Sequence, residues 1–103
     1  MKLSKKRCKF THMLSLLILY TEQLGYHVAV DDVKRQSTCT HGHPRSTHRV
    51  GLAADLLIYD KDWKYLTDGI IYSLLHDFWS QIGGARRIKG DLGHFSLPWK
   101  GVR

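Results

Sequence analysis

Four side chains in this 103-residue chain are of types and spacings that could do chemistry together. His48 and Asp55 fall in the run STHRVGLAAD, and Asp91 and His94 fall in DLGHF near the other end. His48, Asp55 and His94 offer two imidazole nitrogens and a carboxylate oxygen, a set that suits a four-coordinate zinc ion with one position left to water. Asp91 precedes His94 by one helical-turn spacing, which lets a carboxylate stand beside the metal without coordinating it and take a proton from the activated water. Asp55 strengthens this reading. It lies inside the apolar run 52–59, and a buried carboxylate needs a strong partner such as a metal or an arginine. A second grouping competes for a metal: Cys39, His41 and His43, close before His48, form a C-x-H-x-H cluster. A thiolate ligand there would make a closed structural site and leave Asp55 unexplained.

Several elements must position these groups. A helix is expected to open near Ser4 as its cap, with Phe10, Met13, Leu14, Leu17, Ile18 and Leu24 on one stripe and Gly25 ending it. Residues 26–30 alternate as a strand, with Val28 and Val30 on one face. The run QSTCTHGHPR over 36–45 has loop chemistry. In the strand 52–59, period-two geometry puts Ala53, Asp55, Leu57 and Tyr59 on one face, so small Ala53 leaves room beside Asp55. A turn region with Trp63 and Tyr65 follows, whose rings pack on the core edge or border a substrate groove, packing being the commoner fate. Thr67 or Asp68 caps a second helix, with Ile70, Ile71, Leu74, Leu75, Phe78, Trp79 and Ile82 as its apolar face and His76 towards solvent. His94–Leu97 is a last strand with His94 facing opposite to Phe95. The sum is one α+β domain spanning 1–103, a small, mainly antiparallel sheet with packed helices.

Composition narrows the classes. A 43% hydrophobic and 24% charged chain is neither disordered nor membrane-embedded. The basic start MKLSKKRCK followed by apolar MLSLLILY imitates a signal peptide, but Thr21, Glu22 and Gln23 stand where small residues should mark cleavage, and the run is too short to span a bilayer. The two cysteines are too few for a disulfide framework. The net charge of +7 implies attraction to something anionic, whether nucleic acid, lipid headgroups or the polymers of a bacterial envelope. No nucleic-acid reader motif is recognised, so a small basic nucleic-acid-binding module is the weaker alternative and no stable nucleic-acid partner is expected.

Ser46, His48, Gly51, Ala53 and Asp55 fill every fixed position of S-x-H-x-x-G-x-A-x-D, and Asp91 with His94 fills a later D/E-x-x-H. In these residues the chain resembles the zinc D-Ala-D-Ala carboxypeptidases and dipeptidases, and the L-alanyl-D-glutamate endopeptidases that serve as bacteriophage endolysins. The similarity extends through LSKKRCKFTHMLSLLILYTEQLGY, YLTD, FWSQIGG and DLGHFS. It departs at Gln36, where relatives have Ser or Thr, and at ARRIKG, where short phage relatives carry a glycine- and tryptophan-bearing stretch. The resemblance implies a Hedgehog/D-Ala-D-Ala peptidase-like fold, Zn2+ held by His48, Asp55 and His94, Asp91 as the base, and Arg35 supporting the oxyanion. It implies a protein, made in the host cytoplasm without a signal peptide, that hydrolyses the L-Ala-D-Glu bond of the peptidoglycan stem peptide at the cell wall; a monomer is expected. A D-Ala-D-Ala carboxypeptidase is the nearest enzymatic rival, and anionic cell-envelope polymers are expected further partners.

Overall fold

Burial decides which faces of this short chain meet. The computed structural model describes residues 2–32, 47–88 and 90–99, with the backbone alone at 32, 48 and 49. Helix α1 (Leu3–Gln23) turns Phe10, Met13, Leu17 and Thr21 inward, the 3.6-residue stripe that its apolar positions dictate. Thr21 is tolerated there because its hydroxyl donates to the Leu17 carbonyl at 2.8 Å. The helix begins one residue before Ser4, with Lys2 at the cap position and no side-chain cap, so the expected serine cap is not used. Leu24, expected on the buried stripe, is 40% exposed just past the helix end. Gly25 stops the helix as expected, with φ of +93°, a conformation that costs other residues a Cβ clash.

Among the described residues, three strands form one antiparallel sheet in the order β1-β2-β3: β1 (His27–Asp32), β2 (Ala53–Tyr59) and β3 (His94–Ser96). Ala54, Leu56 and Ile58 of β2 are fully buried against α1 and α2 (Ile70–Gln81), whereas Asp55, Leu57 and Tyr59 alternate to the opposite face and stay partly exposed. The result is a small α+β domain with its helices on one face of the sheet. Val28 packs on the core, but Val30 is 46% exposed where the β1–β2 register slips between Val30 and Asp32.

Trp79 centres the core. Its ring is fully buried, with Phe10 edge-on at 5.8 Å and Phe95 edge-on at 5.9 Å, and its indole N–H donates to the Ser96 carbonyl at 2.9 Å. Burying rings of this size is worth about 2–3 kcal/mol each, and pairing the indole N–H avoids the desolvation cost of burying it. Gly84 passes so close that a Cβ there would lie 2.0 Å from the indole nitrogen.

Helix α2 is rotated from its expected phase. Ile71, Tyr72, Leu75, His76 and Trp79 are buried, while Ile70 and Leu74 are exposed. His76 is thus not solvent-facing: its Nε2 pairs with the Leu92 carbonyl at 2.7 Å, and its ring stacks on Phe95 at 4.2 Å. That local partner makes an imidazole acceptable inside, and burial pushes its pKa below the ordinary 6.5. The expected Thr67 or Asp68 cap is also displaced, since Gly69 occupies the cap position without a side-chain bond.

Candidate metal centre

Sheet register brings the first pair of functional side chains together. Asp55 on β2 and His94 on β3 are direct cross-strand partners, so their side chains leave the same face as neighbours. His94 Nδ1 lies 3.4 Å from Asp55 Oδ1. Phe95, one residue on, pairs with Ala54 and enters the core, so the alternation expected for β3 holds and carries His94 to the Asp55 side. His94 is nevertheless 4% exposed and Ser96 1%, so this last strand is covered on both faces.

The turn before β3 supplies the third group. The backbone folds back between Ile88 and Asp91, with Asp91 N–H donating to the Ile88 carbonyl at 3.0 Å, and Gly93 O accepts from Leu56 N–H at 2.8 Å. This docks the turn onto β2 and leaves Asp91 Oδ2 4.0 Å from His94 Nδ1. Asp55, Asp91 and His94 therefore present ligand atoms within 4.8 Å of one another, a cluster that could hold a metal ion. The donor set, one imidazole and two carboxylates, is chemically suited to a divalent cation.

Two positions that sequence reasoning passed over make this arrangement possible. A Cβ at Gly93 would stand 2.6 Å from the Leu56 carbonyl oxygen, so only glycine lets the turn sit this tightly on β2. The signal was present in the letters DLGH, but nothing local says that the glycine faces another backbone. The second is Asp31, which stands at the register slip of β1 and lines the cleft beside the cluster. An extra residue in one strand re-aims the side chains around it, and such a bulge leaves no periodic trace.

The cleft has a volume of about 370 Å³, and Asp31, Asp55, Asp91, Tyr65, Thr67 and Tyr72 contribute to its walls. Its titratable lining among the described residues is three aspartates and two tyrosines, an acidic patch on a chain of net charge +7. Tyr72 donates its hydroxyl to the Leu66 carbonyl, and burial above all, with Tyr65 and Asp68 adding to it, raises its pKa beyond the usual 10.0. It lines the cleft as a neutral phenol and cannot serve as a base at neutral pH.

The remaining candidates divide by position. His48 belongs to the short 3-10 turn Thr47–Val50, and its side chain lies outside the described residues. That turn is fastened to α1, because Arg7 Nε donates to the Val50 carbonyl at 2.7 Å and packs beside Gly51, whose φ of +75° makes the bend before β2. Thr47 is fully buried, and its carbonyl accepts from Leu52 N–H at 2.9 Å. Arg35, Cys39, His41, His43 and Ser46 lie outside the described residues. In the segment ARRIKG, read from sequence either as a basic approach to a substrate carboxylate or as plain loop charge, Arg86 is exposed, and Arg87, also exposed, reaches Ser73 Oγ at 3.4 Å on α2. Among the described residues no helix is long and apolar enough to cross a membrane. No family model matches the chain, and no curated protein sequence matches it significantly.

Proposed function

We propose that the protein is a zinc-dependent peptidoglycan peptidase of the endolysin kind, cleaving the L-Ala-D-Glu bond of the stem peptide. One observation carries the reading: Asp55 and His94 pair directly across β2 and β3, with Asp91 as their next neighbour, and both carboxylates line a cleft. Zinc with ligand bonds of about 2.0–2.1 Å has tetrahedral edges of about 3.3 Å. The 3.4 Å separation of His94 Nδ1 and Asp55 Oδ1 fits such an edge. The 4.0 Å separation of His94 Nδ1 and Asp91 Oδ2 is too long for one, which suits a carboxylate beside the ion and not on it. His48 completes the ligand set by its place in the S-x-H-x-x-G-x-A-x-D motif, carried on a turn tethered by Arg7.

Bound zinc supplies a Lewis acid that lowers the pKa of water towards about 7 and polarises the scissile carbonyl. Asp55 and His94 hold the ion. Asp91 accepts the proton of the attacking water and returns it to the amine as the C–N bond breaks, which leaves a new carboxylate and a new amino terminus. Arg35 stabilises negative charge on the attacked carbonyl oxygen. A divalent cation held beside Asp31, Asp55 and Asp91 would offset part of their negative charge.

Digestion of purified peptidoglycan with the zinc-loaded protein tests the reading, with mass analysis of the released fragments. L-Ala carboxyl termini paired with D-Glu amino termini are expected. Free D-alanine would assign the carboxypeptidase reaction instead, and an unchanged wall would overturn the proposal.

A further inference from the structure

The hairpin that follows β2 carries an aromatic surface that the hydrolytic chemistry does not use. Tyr59 and Tyr65 close it as a bridged pair, with rings 5.5 Å apart, and the intervening residues form a tight turn. Asp60 Oδ1 accepts from the backbone N–H groups of Asp62 and Lys64, each at 2.9 Å, while Asp60 N–H donates to the Lys64 carbonyl. This cage holds Trp63 at φ +67°, the left-handed region where a bulky residue is strained. The strain places the indole flat on His27, with ring centroids 3.6 Å apart and planes within 4°. Of the two places expected for Trp63, the core edge and the border of a groove, the core edge is ruled out: the residue is 68% exposed.

A tryptophan supported on one side by an imidazole and open on the other is a preorganised flat platform. Its location ties it to the cleft. His27 is the cross-strand partner of Tyr59, and Tyr59 shares a sheet face with Asp55, so platform and metal cluster lie on one face. Four residue steps along β2 lead from Asp55 to Tyr59, about 13 Å at the usual rise. Tyr65, 47% exposed, lines the cleft and pairs with Tyr59.

Charge selects the occupant. Around Trp63 the turn carries Asp60, Asp62, Lys61 and Lys64, two negative and two positive groups that cancel. A polyanion such as a nucleic acid requires a cationic stripe beside its stacking ring, whereas a neutral ring needs only the aromatic face and nearby hydrogen-bonding groups. We infer that Trp63, backed by His27, is a stacking platform for a neutral N-acetylated sugar ring of the glycan strand that carries the stem peptide. The choice of that sugar rests on the peptidoglycan reading; the platform itself does not.

The probe is a soluble tetramer of β-1,4-linked N-acetylglucosamine, titrated by calorimetry into the full chain without any substrate peptide. Saturable binding is expected in the wild type. Trp63→Ala should weaken it about tenfold or more, the loss expected for one aromatic stack, while Trp63→Tyr retains most of it. Unchanged melting temperatures exclude misfolding as the cause, because Trp63 packs outside the core. Equal affinity of Trp63→Ala and wild type, no tetramer binding at all, or tighter binding of a single-stranded oligonucleotide would each overturn the inference. Hydrolysis of an isolated stem peptide, measured in parallel, should be untouched by Trp63→Ala, so failure of the platform and failure of the peptidase reading give different results.

Discussion

Gly93 offers the sharpest test of how backbone packing builds the Asp55–Asp91–His94 cluster. In Gly93→Ala the new Cβ would lie 2.6 Å from the Leu56 carbonyl oxygen, and real Cβ contacts essentially never fall below 3.0 Å. Backbone atoms of a central strand cannot swing aside as a lysine tip can, so the turn and β2 must part. Gly93 is not among the positive-φ glycines, so alanine is conformationally acceptable there and the cost is steric. Overpacking of this kind costs about 1–3 kcal/mol, and straining the 2.8 Å Leu56–Gly93 hydrogen bond adds about 1 kcal/mol. With a urea dependence of about 1–3 kcal/mol per molar for a domain of this size, the unfolding midpoint should fall by about 1 M. The same displacement moves Asp91 and His94 relative to Asp55, so zinc affinity, followed by competition with a chromophoric chelator, should drop about 10–100-fold, as when a supporting group is lost. Gly93→Val should be worse on both counts. If Gly93→Ala unfolded at the wild-type midpoint and bound zinc equally well, the close approach, and with it the proposed origin of the Asp55–His94–Asp91 geometry, would be refuted.

Asp91→Ala should retain stoichiometric zinc by elemental analysis yet lose about 10²–10⁴ in turnover on isolated stem peptide, the usual range for a general base; full turnover would remove Asp91 from that role. His48→Ala should lose zinc and activity together, and a variant that keeps tightly bound metal would show that the ligand set closes without it. His76 gives a pH prediction. Its folded pKa is lowered, so the unfolded chain binds the extra proton more readily; the stability its neutral form contributes is complete above 6.5 and is lost as pH falls from there through the folded value. Urea unfolding in the presence of a chelator should show stability declining with acidification below 6.5, and His76→Gln should flatten that slope; an unchanged slope would mean that another group drives it.

Period was the reliable guide to this chain, and phase and long-range contact were not. The alternation of 52–59 was enough to place Asp55 opposite the core residues, and that of 94–97 to place His94 opposite Phe95, because a half-buried strand allows little other choice. Helix α2 shows the limit. Its apolar residues nearly encircle it, so the stripe could be drawn through Ile70 and Leu74, and only a carbonyl contributed by Leu92 reveals that His76 is the residue turned inward. The partnership of Asp55 and His94 was expected from motif resemblance, yet its 3.4 Å geometry follows from the register of two strands distant in the chain. Asp31 entered the cleft through a register slip, and Trp63 stands clear of the core edge on a turn locked by Asp60. Both departures lie on the side of the sheet that bears the Asp55–Asp91–His94 cluster. Backbone irregularity costs free energy that regular pairing would spare, so its concentration beside one cleft is where selection for binding, and not for folding alone, would leave its mark.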